Sequence, residues 1–173
     1  MGREVRRVPP NWSHPRKDYI SGPGYQPMLD ETFAAATARW REGQRKWDAG
    51  EDPSREQYKN DDGSFQTYAE WHGDAPDDPA YYRPWEDHEA TWFQLWETVS
   101  EGSPVTPPFA TKEELVTYLA EHGDEWDEKR GNPGWGHERA KAFVEAGWAP
   151  SFVMAGNTLH EAKDVLLLMK DTK

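Results

Sequence analysis

Rings, not aliphatic side chains, are the core material that this chain has to offer. Ten Trp, seven Tyr and six Phe stand in a sequence whose hydrophobic fraction is only 35%. That fraction is low for a globular domain. A buried ring removes about 150–250 Å² from water, so a few rings replace many aliphatic residues. Fourteen Pro and fourteen Gly cut the 173 residues into short pieces. The chain therefore predicts an α+β fold: a small sheet, three to four helices, an aromatic-rich core and long Pro/Gly loops.

Residues 1–28 read as an irregular arm. Pro9, Pro10, Pro15, Pro23 and Pro27, with Gly22 and Gly24, argue against a long helix or a central strand. The arm is basic, because Arg3, Arg6, Arg7, Arg16 and Lys17 face Glu4 alone up to residue 17. Trp12, Tyr19, Ile20 and Tyr25 are its anchors, and an anchored arm packed on the body fits better than a free tail. The rest, 29–173, reads as a single α+β domain.

Within it, Phe33, Ala36, Thr37, Trp40, Gln44 and Trp47 share one face of a helix expected over 31–49, with Asp30 as N-cap and Gly50 just past the end. Trp92–Val99 alternates and reads as a strand. Thr111 and Glu114 form a capping box opening a helix that stops at Gly123. Residues 124–136 read as a charged loop, 138–146 as a helix and Ser151–Ala155 as a short strand. A second capping box, Thr158 with Glu161, predicts a terminal helix over Leu159–Lys170.

Composition narrows the chemistry. Without Cys there is no disulfide, thiolate nucleophile or Cys-type zinc site, and a cytosolic setting fits best. The start, Met1-Gly-Arg-Glu-Val-Arg-Arg, leads into no apolar stretch and does not read as a signal peptide. The longest apolar run, Val165–Met169, falls far short of the ~18 residues of a membrane span, so no membrane partner is expected. The net charge is −12, and twelve acids stand against Arg55, Lys59 and Arg83 between Glu51 and Glu89. Such a body should repel nucleic acid; the acid bias reads first as solubility, and more sharply as a surface made for a basic partner, including a DNA-mimic surface.

His14, His72, His88, His122, His137 and His160 form no His-x-His and no i, i+4 pair, so no metal site is expected. Glycine-rich phosphate motifs and the G-x-S-x-G elbow are absent, and neither a cofactor nor a catalytic residue is predicted. Gly131–Gly136 reads as turn chemistry, not as a phosphate cradle. Asp74, Asp87, His72 and His88 are the first suspects if the chain is a hydrolase after all. Aromatic residues in Pro/Gly loops are the strongest contact candidates, because interfaces enrich Trp, Tyr and Arg. The expected binding residues are Tyr81, Tyr82, Arg83, Trp85, Trp126 and Trp135. The competing reading is that these rings cap a thin core.

Several strings carry a resemblance. They are Gly2-Arg-Glu-Val-Arg-Arg-Val-Pro-Pro-Asn-Trp12 with His14-Pro15, Tyr25-Gln-Pro-Met-Leu-Asp30, Tyr81-Tyr-Arg-Pro84, Trp96–Pro104 and Ala146–Ser151. Together they resemble a group of small bacteriophage-encoded proteins across most of the chain. The resemblance implies a phage or prophage origin and a life in the bacterial cytoplasm, and it carries over no functional residue. By analogy, such a protein is expected to bind a host protein stoichiometrically, as a counter-defence or host-takeover inhibitor of the anti-CRISPR kind. A sponge for a nucleotide signal, a virion or assembly component and a hydrolase remain as alternatives, and the oligomeric state stays open.

Overall fold

Glycine, arginine and valine open the sheet. In the computed structural model, which describes residues 2–98, 102–150, 152–155 and 158–161, the chain runs β1 (Gly2–Val8), β2 (Arg16–Tyr19), β3 (Gly22–Tyr25), β4 (Leu29–Thr32), α1 (Phe33–Asp48), α2 (Tyr68–His72), β5 (Tyr82–Arg83), β6 (Trp92–Glu97), β7 (Ser103–Pro104), α3 (Lys112–His122), α4 (Glu125–Arg130), α5 (His137–Ala146), β8 (Trp148–Pro150), β9 (Phe152–Ala155) and β10 (Thr158–Glu161). The fold is α+β. It divides into two compact units: Glu31–Pro84, and the chain on either side of it.

In the outer unit the sheet order is β7-β6-β1-β8, with every pair antiparallel. The irregular arm expected over 1–28 is thus corrected. Its first residues form an inner strand, with Arg3 opposite Glu97 and Val8 opposite Trp92, and 16–25 form the β2–β3 hairpin. The prolines begin only after Val8, and Pro23 sits in a two-stranded hairpin, so none of them blocks these ladders.

Period 2 sends alternate residues of β6 to opposite faces. Leu95, with Phe93 beside it, meets Leu115, Leu119, Phe143 and Val144 of α3 and α5. Trp96, with Trp92, meets Val8, Met28, Trp85 and Ala90. A sheet buried on both faces explains why Arg6 can be buried. Its guanidinium donates to the Met28 carbonyl at 2.6 Å and to Glu4, and it lies 4.5 Å from the Trp96 ring centre. Part of the arm's basic charge is therefore structural.

Helices follow their local signals where those are strong. Both the Thr111–Glu114 capping box and the stop at Gly123 are present on α3. The Gly-rich string 131–136 finishes that helix. Trp135 and Gly136 N–H groups donate to the Leu119 and Ala120 carbonyls at 2.9 and 3.1 Å, the first beside the Gly123 N–H that Leu119 already accepts, so the loop ties itself to the end of the helix. Gly134 lies so close that a Cβ would sit 2.3 Å from the Ala120 oxygen and 2.4 Å from the Glu121 carbonyl carbon. Gly134→Ala should therefore cost roughly 2–3 kcal/mol through backbone displacement. Urea unfolding checks this, and a cost near zero would mean that the loop moves freely away from α3.

Two expectations need correction. Residues 124–136 are not all loop: Asp124 caps α4, accepting from the Trp126 and Asp127 N–H groups. At the other end, Thr158–Glu161 is a strand paired with β9, not the first turn of a helix. The remainder of the expected terminal helix, 162–170, lies outside the described residues, as does Val99 of the expected strand.

Glu31–Pro84 is built around rings. α1 covers the expected helix, although its N-cap is Thr32, whose hydroxyl accepts from the Ala35 N–H. Trp47 is 1% exposed and stacks on Trp71 at 4.6 Å, with Tyr58 and Tyr68 beside it. Its indole N–H donates to the Gln66 carbonyl at 2.7 Å. Phe33 packs edge-on to Tyr82 at 5.5 Å.

Candidate functional site

Proline and glycine in β3 keep the hairpin narrow, and its two-residue tip, Ile20-Ser21, closes through Gly22 at φ +112°. Glycine tolerates that angle without strain. Ile20 is fully exposed, and Tyr19, though 41% exposed, lies back along the hairpin with its hydroxyl donating to the Tyr25 carbonyl at 2.9 Å. Two of the four expected anchors thus stay exposed. Of the other two, Trp12 anchors, packing on Trp85 at 4.3 Å, while Tyr25 packs on His14 of the same segment at 5.5 Å.

Between this hairpin, β7 and α4 lies a groove of about 220 Å³. Arg16 and Tyr25 form one wall, Ser103–Val105 the floor strand, and Glu125, Trp126 and Lys129 the opposite wall. Each wall carries a cation over a ring: Arg16 lies 4.9 Å from the Tyr25 centre, and Lys129 lies 4.7 Å from that of Trp126. Such stacking is worth about 0.5–1 kcal/mol at exposed sites. The Trp126 indole N–H donates to Glu97 at 3.0 Å, and Lys129 pairs with Glu125 at 2.6 Å. Arg16 has no carboxylate partner among the described residues.

Behind the groove, Asp124 is wholly buried and fixes α4 to the sheet. Its Oδ1 takes the helix N–H groups, while Oδ2 lies 2.5 Å from Arg3 Nε in an ion pair without hydrogen-bond alignment. Burial pushes its carboxyl above the ordinary value, against the pull of Arg3. Asp127 beside it accepts from the Trp135 indole at 2.6 Å and from Asn132 at 3.1 Å.

α4 also borders an open acidic depression of about 530 Å³ along α3, lined by Phe109, Tyr118, Glu113, Glu121 and His122. Glu128 of α4 meets the Tyr118 hydroxyl at 3.3 Å. The phenol is pushed up to about 12, by burial first and then by Glu128, Glu125 and Asp124.

The six expected contact residues separate. Trp135 (3% exposed) packs on Phe143 in the α3–α5 core, and Trp85 (5%) lies in the cluster under Trp96. As contact residues these two are corrected: the thin core consumes them. Tyr81, Tyr82 and Arg83 are half-buried in the Glu31–Pro84 unit. Trp126, 38% exposed, is the one that lines a groove. Sequence reasoning missed Arg16, Tyr19, Ile20 and Lys129 as surface candidates. The signal for the first three was the turn Ile20-Ser-Gly22 flanked by charged and aromatic residues. For Lys129 it was its i, i+3 spacing from Trp126.

Among the described residues, no group of three His, Asp or Glu side chains converges as metal ligands would, and no helix is long and apolar enough to cross a membrane. Comparison with protein-family models, curated proteins and solved structures returns no match.

Proposed function

We propose that this chain acts by stoichiometric binding of a protein partner through the α4 face. The observation that carries the reading is Trp126, an exposed ring lining a cation–aromatic groove, on the helix whose Glu128 meets Tyr118 of the acidic depression. Exposed Trp and Tyr beside Arg are the composition of interface hot spots. Tyr19 and Ile20 extend the same apolar supply at the hairpin tip. The net charge of −12 and the carboxylates along α3 favour a basic partner. With the resemblance to phage proteins, that partner is a basic or nucleic-acid-gripping protein of the bacterial host, met in its cytoplasm and inhibited by occupancy.

A small-molecule sponge is the weaker reading. The groove's 220 Å³ lies below the ~300–1,000 Å³ of ordinary ligand pockets, and the 530 Å³ depression is open and lined by carboxylates that repel a nucleotide.

The test is capture from bacterial lysate at about pH 7.5, followed by titration with the purified partner. Wild type should saturate at one to one. Trp126→Ala, which trims a partly exposed ring, should keep its melting temperature within a few degrees and weaken binding about 30-fold, near 2 kcal/mol. Absence of any saturable partner, or equal affinity in the variant, would overturn the reading.

A further inference from the structure

The hairpin wall of the groove is tied at its base by one buried imidazole. His14 precedes β2, and Gln26 follows β3. The His14 ring is 7% exposed, and its Nε2 lies 2.6 Å from the Gln26 carbonyl. A carbonyl only accepts, so Nε2 carries the hydrogen. The Trp12 indole N–H points at Nδ1 from 3.3 Å, so Nδ1 accepts. Both ring nitrogens are therefore committed to the neutral form with hydrogen on Nε2. The Gln26 N–H donates in turn to the Pro15 carbonyl at 2.9 Å, which completes the tie.

A second proton has no acceptor there. It would leave the Nε2–H bond to Gln26 in place but set an Nδ1–H against the Trp12 N–H, and it would put a charge on a ring buried away from water beside Trp96 at 4.7 Å and Tyr25 at 5.5 Å. The charged and titratable groups facing His14 are Arg6 from β1, itself paired with Glu4, and Tyr25 from β3. β6 supplies only the neutral Trp96, and the preceding loop only Trp12. No carboxylate contacts the ring among the described residues.

Resting on the partner-binding reading of the groove, we infer that His14 is an acid-sensitive latch: protonating its ring frees the β2–β3 hairpin, removes the Arg16–Tyr25 wall and lowers the affinity for the partner.

The direction of its titration agrees with the geometry. Burial, the largest influence, lowers the imidazole below its ordinary value of 6.5; the Gln26 carbonyl partly opposes this and Arg6 adds to it. The closed hairpin thus holds the neutral ring. Its latch energy is complete above about pH 6.5, the pKa of the released ring, and is lost as pH falls from there through the lowered pKa of the closed form.

Nuclear magnetic resonance of the intact free chain tests this. At about pH 7.5 the His14 ring should be the Nε2–H tautomer, and it should titrate below 6.5. Amide protection of residues 16–25, corrected for intrinsic exchange, should fall several-fold between pH 7 and pH 5, because the released ring binds the proton more tightly than the closed one. Protection across β1 and β6 should hold. His14→Gln, which keeps one donor and one acceptor, should keep the hairpin closed at pH 5. A His14 pKa at or above 6.5, a hairpin indifferent to pH, or the same loss in His14→Gln overturns the latch. If that variant does not fold, the wild-type titration and exchange decide between them. A missing partner at pH 7.5 sinks the binding reading and leaves the latch standing. A partner held equally at pH 5.5 by an opened hairpin sinks only the regulation.

Discussion

Trp135→Ala should lose about 5 kcal/mol of stability and leave the groove-bearing unit unfolded at 37 °C. The indole packs on Phe143 in the α3–α5 cluster. Deleting such a ring from a core typically costs about 3–5 kcal/mol. It also supplies the 2.6 Å hydrogen bond to buried Asp127. Losing that donor adds about 1–3 kcal/mol, because a buried carboxylate oxygen is left short of a partner. A whole domain holds only about 5–15 kcal/mol. Trp135→Phe separates the two contributions: it keeps ring packing and forfeits only the N–H, so it should cost about 1–2 kcal/mol. Urea titrations followed by far-ultraviolet circular dichroism measure both. A Trp135→Ala cost under about 1 kcal/mol would mean that the core around α3 does not depend on this ring.

Trp47→Ala should collapse the other unit, at a cost of about 4 kcal/mol. Buried apolar side chains between 31 and 84 are few: Ala36, Trp47 and Tyr68. Removing Trp47 takes from Trp71 the ring stacked on it, leaving Tyr58 and Tyr68 tilted beside it, and takes from the Gln66 carbonyl its indole donor. Gly43 shows how closely the pieces fit, since a Cβ there would meet the Tyr68 hydroxyl at 2.1 Å. Hydrogen exchange should show protection vanish across Phe33–Asp48 and persist across β1 and β6. Retained protection in α1 would show that the remaining rings suffice.

Of the site, the sequence exposed one residue in six at a groove. Loop position and ring chemistry picked out Trp85, Trp126 and Trp135 alike, and those signals do not say which way an indole points. Burial decides it: Trp85 and Trp135 fill space that a chain with 35% hydrophobic residues leaves otherwise empty, whereas Trp126 lies on a short helix whose inner side is taken by Asp124 and Asp127. The hairpin wall escaped notice because Pro23 and Gly24 look like loop residues, yet a two-stranded ribbon accepts both.

Residues close in sequence determined the parts of this protein whose bonds close locally. The α1 helix, the α3 capping box and the α5 stop at Gly147 each satisfy their own backbone groups within a few residues. Tertiary structure alone decided what depends on distant partners. Nothing local says that the arginine at position 6 is buried; the Met28 carbonyl and the Trp96 ring, both distant in sequence, enclose it. The Thr158 capping box yields to a ladder with β9. A buried charge or a strand edge is tolerable only once its partner arrives from elsewhere in the chain, and a local pattern holds no record of that partner.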